Sequence, residues 1–195
     1  MTQDTAPQQL QTATDKSGSL LQPGRNCWRF AHAQRAAFLI DGADYFAVLH
    51  SALERAEQAV YIIGWDIDSR VALIRDDAAS SNLPSPLGDY LDALVKRRPQ
   101  LHVYILIWDF AMIYAFEREP LPLYKLQWRT HQRVHFIMDD RHPFGACHHQ
   151  KIVVIDDALA FIGGLDLTRG VGIPEHHADN PRRVNPDGEP HAPFP

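Results

Sequence analysis

Hydrophobic positions along this chain switch repeatedly between helical and extended spacing. Tyr45, Phe46, Leu49, Ala52, Leu53 and Ala56 recur at intervals of three and four, which predicts a helix after the Asp41-Gly42 break. Leu87, Tyr90, Leu91, Leu94 and Val95 predict a second helix, closed by Pro99. Between and around them lie short apolar runs of strand length: Phe38 to Ile40, Val60 to Trp65, Val71 to Ile74, Leu101 to Trp108, Val134 to Met138 and Lys151 to Ile155. Ala158 to Ile162 is expected to pair with the last of these through a turn at Asp156-Asp157. Strands alternating with helices predict an α/β domain, a layered mixed β-sheet flanked by helices. The run from Leu101 to Phe116 is expected to pass from a buried strand into a helix; Asp109 interrupts it, and it is too short to span a membrane.

The ends of the chain carry no such pattern. Residues 1–25 are rich in Gln, Thr and Ser and are expected to be disordered, as is the Pro-rich and charged stretch 171–195. The folded domain is therefore expected over 26–170. The first residues lack a basic start and an apolar stretch, so no secretory signal is read there.

Composition narrows the classes further. The 195 residues are 45% hydrophobic and 22% charged, as in ordinary globular proteins, and one domain accommodates them. A formal net charge of -5 argues against a dedicated nucleic-acid binder. The basic runs Lys96-Arg97-Arg98 and Arg182-Arg183 read as a helix end and a solvated tail. Cys27 and Cys147 have no metal or redox spacing and read as free thiols of a reducing compartment, which places the chain in the cytoplasm. Cys147 is expected to be small and half-buried filler before a strand.

The densest chemistry lies in HHQKIVVIDDALAFIGGLD, from His148 to Asp166. His149, Lys151 and Asp156 stand in the pattern H-x-K-x(4)-D. On an extended chain His149 and Lys151 project side by side, because residues two apart share a face. A nucleophilic imidazole beside a fixed ammonium suits attack on a phosphorus centre with anionic oxygens. Asp156 is an odd number of residues from both and is expected to face away, in a supporting role. Asp166 would repel a phosphate if aimed at it and is expected to orient a donor instead. Asp66 and Asp68 would share one strand face, where they read as solvated strand-end acids. His131, His135 and His142 lack the close spacing of a metal site and read as satisfied surface histidines. Glu175-His176-His177 is expected to be solvated.

This segment resembles the signature of the phospholipase D superfamily, in which H-x-K-x(4)-D is followed by a Gly-rich step at the position of Gly163. Gly163-Gly164-Leu165-Asp166, the doubled His148-His149 and the run LAFIGGLDLTRG look like the first catalytic motif of phosphatidylcholine-type phospholipases D. The similarity extends upstream through YIIGWDIDSR to about Asn26. It implies one half of a two-lobed fold, with His149, Lys151 and Asp156 as catalytic residues. It also implies a hydrolase that cleaves the distal phosphodiester of phosphatidylcholine-like lipids at a membrane surface. His149 would form a phosphohistidine, released by water or by another alcohol, while Lys151 neutralises the non-bridging oxygens, with no metal or other cofactor.

Relatives of this type use two such motifs, and here a second H-x-K is missing; His131-Gln132-Arg133 lacks the following Asp. The expectation is a first half that needs a second motif, from a missing C-terminal half or from a homodimer. A homodimeric superfamily nuclease and an inactive truncated half remain the alternatives.

Overall fold

The computed structural model describes residues 20–74, 82–108, 130–143 and 146–168. The chain divides into two units, Met1–Phe38 and Leu39–Pro195. The described part of the first is held by a turn around Asn26. Its side-chain oxygen accepts the Gln22 N–H at 2.6 Å and its amide donates to the Leu20 carbonyl at 2.7 Å.

The second unit holds the sheet and both helices. Helix α1 (Asp41–Leu53) buries Phe46, Leu49, His50 and Leu53, the stripe that period-3.6 spacing directs to one side. Asp41 and Asp44 lie in its first turn, where the helix dipole favours acidic side chains. Helix α2 (Leu87–Arg97) buries Leu87, Tyr90, Leu91, Leu94 and Val95. It stops where Pro99 forces the preceding Arg98 into extended geometry, φ -122 and ψ 99. The Tyr90 hydroxyl donates to the His50 carbonyl at 3.1 Å and ties the two helices together. Burial pushes the Tyr90 phenol well above its ordinary range, with Glu54 adding to the shift, so this donor stays protonated.

Among the described residues, five strands form one mixed sheet in the order β3-β2-β1-β4-β5. Strands β1 (Ala59–Gly64), β2 (His102–Trp108) and β3 (Val134–Asp139) are parallel, and α2 lies in the crossover from β1 to β2. Strand β4 (Ile152–Ile155) runs antiparallel to β1, and β5 (Leu159–Ile162) antiparallel to β4. Alternation sends Val60, Ile62, Val103, Ile105, Val134, Phe136, Val153 and Phe161 to one face, where α1 and α2 complete the core. The β4–β5 hairpin turns over Asp156, Asp157 and Ala158, between the paired Ile155 and Leu159, with Asp156 and Asp157 both left-handed at φ 51 and 53.

Four expectations need correction. Phe38 to Ile40 is not a strand: Ile40 is extended only as the residue leading into α1, and Phe38 is fully exposed with no ladder to join. Val71 to Ile74 makes a single bridge, Ala72 to Pro86, flanked by a bond from the Leu87 N–H to the Val71 carbonyl at 2.9 Å; the partner segment turns into α2 at Leu87 and pairs no further in that direction. Strand β1 ends at Gly64, so Asp66 and Asp68 do not share a strand face. Nor is Asp68 solvated: it is buried and bound by Arg70 through Nε at 2.8 Å and Nη2 at 2.6 Å. Cys147, expected to be half-buried, is exposed; it and Cys27 are free thiols. The helix expected after Trp108, most of the N-terminal stretch and the whole tail, including Glu175-His176-His177, lie outside the described residues.

Candidate active site

Because β1, β2 and β3 are parallel, their carboxyl ends lie along one edge of the sheet. Strand β4 runs the other way, so its beginning meets the same edge. Ile152 pairs with Ile63, which brings Lys151 to the level of Gly64 and Trp65. Open α/β sheets bind ligands at this edge, since the chain leaves it in loops free to diverge.

Lys151 precedes β4 and continues the inward-facing alternation of Val153 and Ile155, so its stem is buried. Its ammonium lies 2.9 Å from Asp166 Oδ2, with both side chains at most a tenth exposed. The other carboxylate oxygen of Asp166 accepts the N–H groups of Trp65 at 3.0 Å and Asp66 at 3.4 Å. Asp166 thus joins the segment after β5 to the segment after β1 and holds Lys151 between them. Gly64 fits closely here. A Cβ at that position would lie 3.1 Å from Asp166 Oδ1 and 3.2 Å from the Asp66 carbonyl. Tyr45 reaches the same cleft, its ring edge-on to Phe161 at 5.9 Å. Burial first, and then the charge of Asp166, push its phenol up to about 12.

His149 is exposed, and its ring stands 6.1 Å from that of Trp65. Lys151 Nζ is 5.9 Å from the same indole and 3.5 Å from the His149 carbonyl oxygen. The imidazole and the ammonium therefore share Trp65 as a neighbour, the first reaching solvent and the second fixed beneath it. Trp65 stacks on Trp108 at 5.7 Å, and Trp108 Nε1 donates to His142 Nε2 at 3.0 Å. That bond puts the proton of a neutral His142 on Nδ1, which faces the Pro143 carbonyl at 3.2 Å. His148 points the other way from His149, with Nε2 3.4 Å from Asp139 Oδ2 at the end of β3.

Asp156 is elsewhere. It occupies the hairpin turn at the far end of β4, about 16 Å from Lys151 at an extended rise per residue. Its Oδ2 accepts the Glu57 N–H at 2.8 Å, and its Oδ1 those of Gln58 at 2.8 Å and Ala59 at 2.9 Å. Its own N–H donates to the Ala59 carbonyl at 2.8 Å. Partial burial pushes the carboxyl up, but the three N–H groups, helped by Arg98, outweigh it and hold the pKa below 3.8. This is a staple between the hairpin and the start of β1. The resemblance implies a catalytic Asp156 and strand parity a supporting one; among the described residues its carboxylate is bonded to Glu57, Gln58 and Ala59 and not to His149 or Lys151.

The edge residues Trp65, Trp108, Asp139, His142 and His148 were not read as a group in the sequence. They are scattered over more than eighty positions, and their one shared signal is that each lies at or just beyond the end of a strand, or next to His149. Of the other histidines, His131 Nδ1 accepts the Arg133 N–H at 3.2 Å, and His135 pairs with His102. Among the described residues, no cluster of three or more His, Cys, Asp or Glu side chains could hold a metal ion.

Comparison with known proteins bears on this geometry. No family model matches the chain. Phospholipase D C of Dictyostelium discoideum is 36% identical over 135 residues, and phospholipase D A of the same organism 33% over 138, each covering 67% of this chain. The chain belongs to the phospholipase D superfamily. Phospholipase D2 of Bos taurus is similar as well, at 28% over 146 residues and 69% of this chain. The chain spans only 8%, 10% and 14% of the length of these three relatives. Among solved structures, the phospholipase D family member Nuc of Salmonella typhimurium superposes with a TM-score of 0.41 at 17% identity, over 64% of this chain and 66% of that one. Among the described residues no helix is long and apolar enough to cross a membrane.

Proposed function

We propose that this chain is the nucleophile-bearing half of a phospholipase D-type hydrolase, acting in the cytoplasm at a membrane surface on phosphatidylcholine-like phospholipids. The observation that carries the reading is the pairing of an exposed imidazole, His149, with a buried ammonium, Lys151, that Asp166 fixes at 2.9 Å. His149 attacks the phosphorus in line, forming a P–N bond as the P–O bond to the head-group alcohol breaks. Water then attacks the phosphohistidine, releasing phosphatidic acid and restoring the imidazole. Lys151 compensates the charge on the non-bridging oxygens, an electrostatic role that a rigidly held group performs without reorganising during the reaction. Asp156 contributes by fixing the far end of β4, which keeps the register that delivers Lys151 to the sheet edge.

The departing alkoxide needs a proton, and a second motif is the proposed source of the general acid, worth on the order of 100- to 10,000-fold. It comes from a further half of the enzyme or from a second copy of the chain across a two-fold axis.

The test is alcohol exchange. An intermediate open to water is open to short primary alcohols, so an assembly containing both motifs should make a phosphatidyl-alcohol in competition with phosphatidic acid. Hydrolysis with no such product over a wide alcohol range would exclude the covalent route. Turnover of DNA with a steep salt dependence, and none of lipid, would assign the site to a nuclease. The chain alone should be negligibly active in the same assay.

A further inference from the structure

At the opposite end of the sheet from the catalytic edge, two histidines meet. His102 opens β2 and His135 is the second residue of β3. The parallel register sets Tyr104 opposite His135, so His102 lies diagonally across from it on the same face. His102 Nδ1 is 3.2 Å from His135 Nε2, and the two ring planes agree within 3°. Both rings are half-buried and packed against an aromatic ladder. Tyr104 lies 4.7 Å from His135 and 6.1 Å from His102, and Tyr61 stacks on Tyr104 at 5.1 Å.

We propose that His102 and His135 form a two-imidazole binding site for a divalent transition-metal ion of the Zn²⁺, Ni²⁺ or Cu²⁺ type. Three points support it. The first is distance. Metal–imidazole bonds of about 2.0–2.1 Å put two cis nitrogen ligands about 2.9 Å apart at a right angle and about 3.3 Å apart at the tetrahedral angle. The observed 3.2 Å falls between these limits, so the two nitrogens already stand at the separation of cis ligands. Each ring has to turn its lone pair about 40° off the nitrogen–nitrogen line to aim at one ion.

The second point is protonation. Each imidazole has another ring nitrogen, so the neutral tautomers that leave His102 Nδ1 and His135 Nε2 bare are available to both. Without an ion those tautomers set two lone pairs against each other, and one ring must keep an inner proton to bond its neighbour. A cation replaces that proton and satisfies both nitrogens.

The third is preorganisation. Tyr104 packs on His135 at 4.7 Å and lies 6.1 Å from His102, which keeps the two rings side by side, so the turn of each ring is the one rearrangement that binding asks of them. Water would complete the coordination. The site lies about 20 Å from Trp108 along β2, so it is independent of the hydrolase reading.

Titration of the whole chain with Zn²⁺, Ni²⁺ and Cu²⁺ by calorimetry at neutral pH tests this. One ion per chain should bind, Cu²⁺ most tightly as the Irving–Williams order requires. His102→Gln and His135→Gln should each weaken binding at least tenfold, while His32→Gln should leave it unchanged. Ligand linkage should also raise the melting temperature of the wild type with metal but not of the two variants. Both variants replace half-buried side chains and should fold, which circular dichroism checks. No binding by the wild type would overturn the proposal, as would affinity retained in either folded variant.

Discussion

The Lys151 ammonium and the Asp166 carboxylate meet at 2.9 Å across the carboxyl edge of the sheet, fifteen residues apart in sequence and both nearly excluded from water. A buried pair of this kind adds little net stability, because desolvating two charges cancels much of their attraction, but breaking it is costly. Asp166→Ala should therefore destabilise the fold by about 3 kcal/mol, since it strands a buried ammonium and frees the N–H groups of Trp65 and Asp66. Asp166→Asn keeps one acceptor and should cost less. Denaturant melts of both variants check the order; equal stability of Asp166→Ala and wild type would remove Asp166 from its positioning role.

Gly64 predicts a steric companion to that result. Its missing Cβ leaves the space into which Asp166 Oδ1 projects, 3.1 Å from where a methyl would stand. The opposing contact on the other side is backbone, at 3.2 Å, and cannot yield as a flexible side chain would. Gly64→Ala should destabilise the chain by about 1–3 kcal/mol, the usual penalty of overpacking. In an active assembly it should also lower turnover by displacing Lys151. A melting curve and rate like those of the wild type would show that the cleft has slack.

Asp156 should make itself known through acid. Its folded pKa lies below the ordinary 3.8, so the carboxylate contributes stability above that pH, and the contribution disappears as pH falls through the folded value. Asp156→Asn tolerates the left-handed φ of 51 but presents an amide where three N–H donors converge. It should cost about 1–3 kcal/mol at neutral pH. The difference from wild type should narrow below pH 3.8 and vanish in stronger acid. A gap that stays constant across the acid range would exclude the carboxylate charge as its origin.

His149 and Lys151 should fail differently from Asp156 in any assembly with lipid turnover. His149→Asn should abolish the covalent phosphoenzyme detected by mass spectrometry. Lys151→Ala should cut turnover by orders of magnitude. His149 is exposed, so its replacement should leave the melting temperature nearly unchanged, whereas removing the buried Lys151 should lower it. Full turnover by His149→Asn would move the nucleophile elsewhere.

How much of this was legible in the sequence depends on the range of the interactions concerned. Both helices and all five strands among the described residues follow from local periodicity, because burying one face imposes a repeat of 3.6 or 2 on neighbouring residues. The H-x-K spacing likewise announces itself over three positions. Val71 to Ile74 and Phe38 to Ile40 misled for the complementary reason: an apolar run states only that a strand is affordable, and a ladder needs a partner with N–H groups to share. Whether that partner exists is a tertiary fact, decided here by the entry of the partner segment into α2 at Leu87 and by the absence of a neighbouring strand among the described residues.

The site itself was mostly decided by the sheet. Strand parity turns Asp156 away from Lys151 and the sequence expects Asp166 to orient a donor, but local pattern names the partner of neither. The parallel run of β1 to β3 and the antiparallel return of β4 put one at the edge with Lys151 and the other at the far turn, against the N–H groups of Glu57 to Ala59. Residue types and spacing alone thus determined the chemistry on offer, an imidazole beside an ammonium. Which carboxylate holds that ammonium, and which indoles wall it in, was settled only when strands distant in sequence were brought into register, because charges and hydrogen bonds act over a few ångströms of space whatever their separation along the chain.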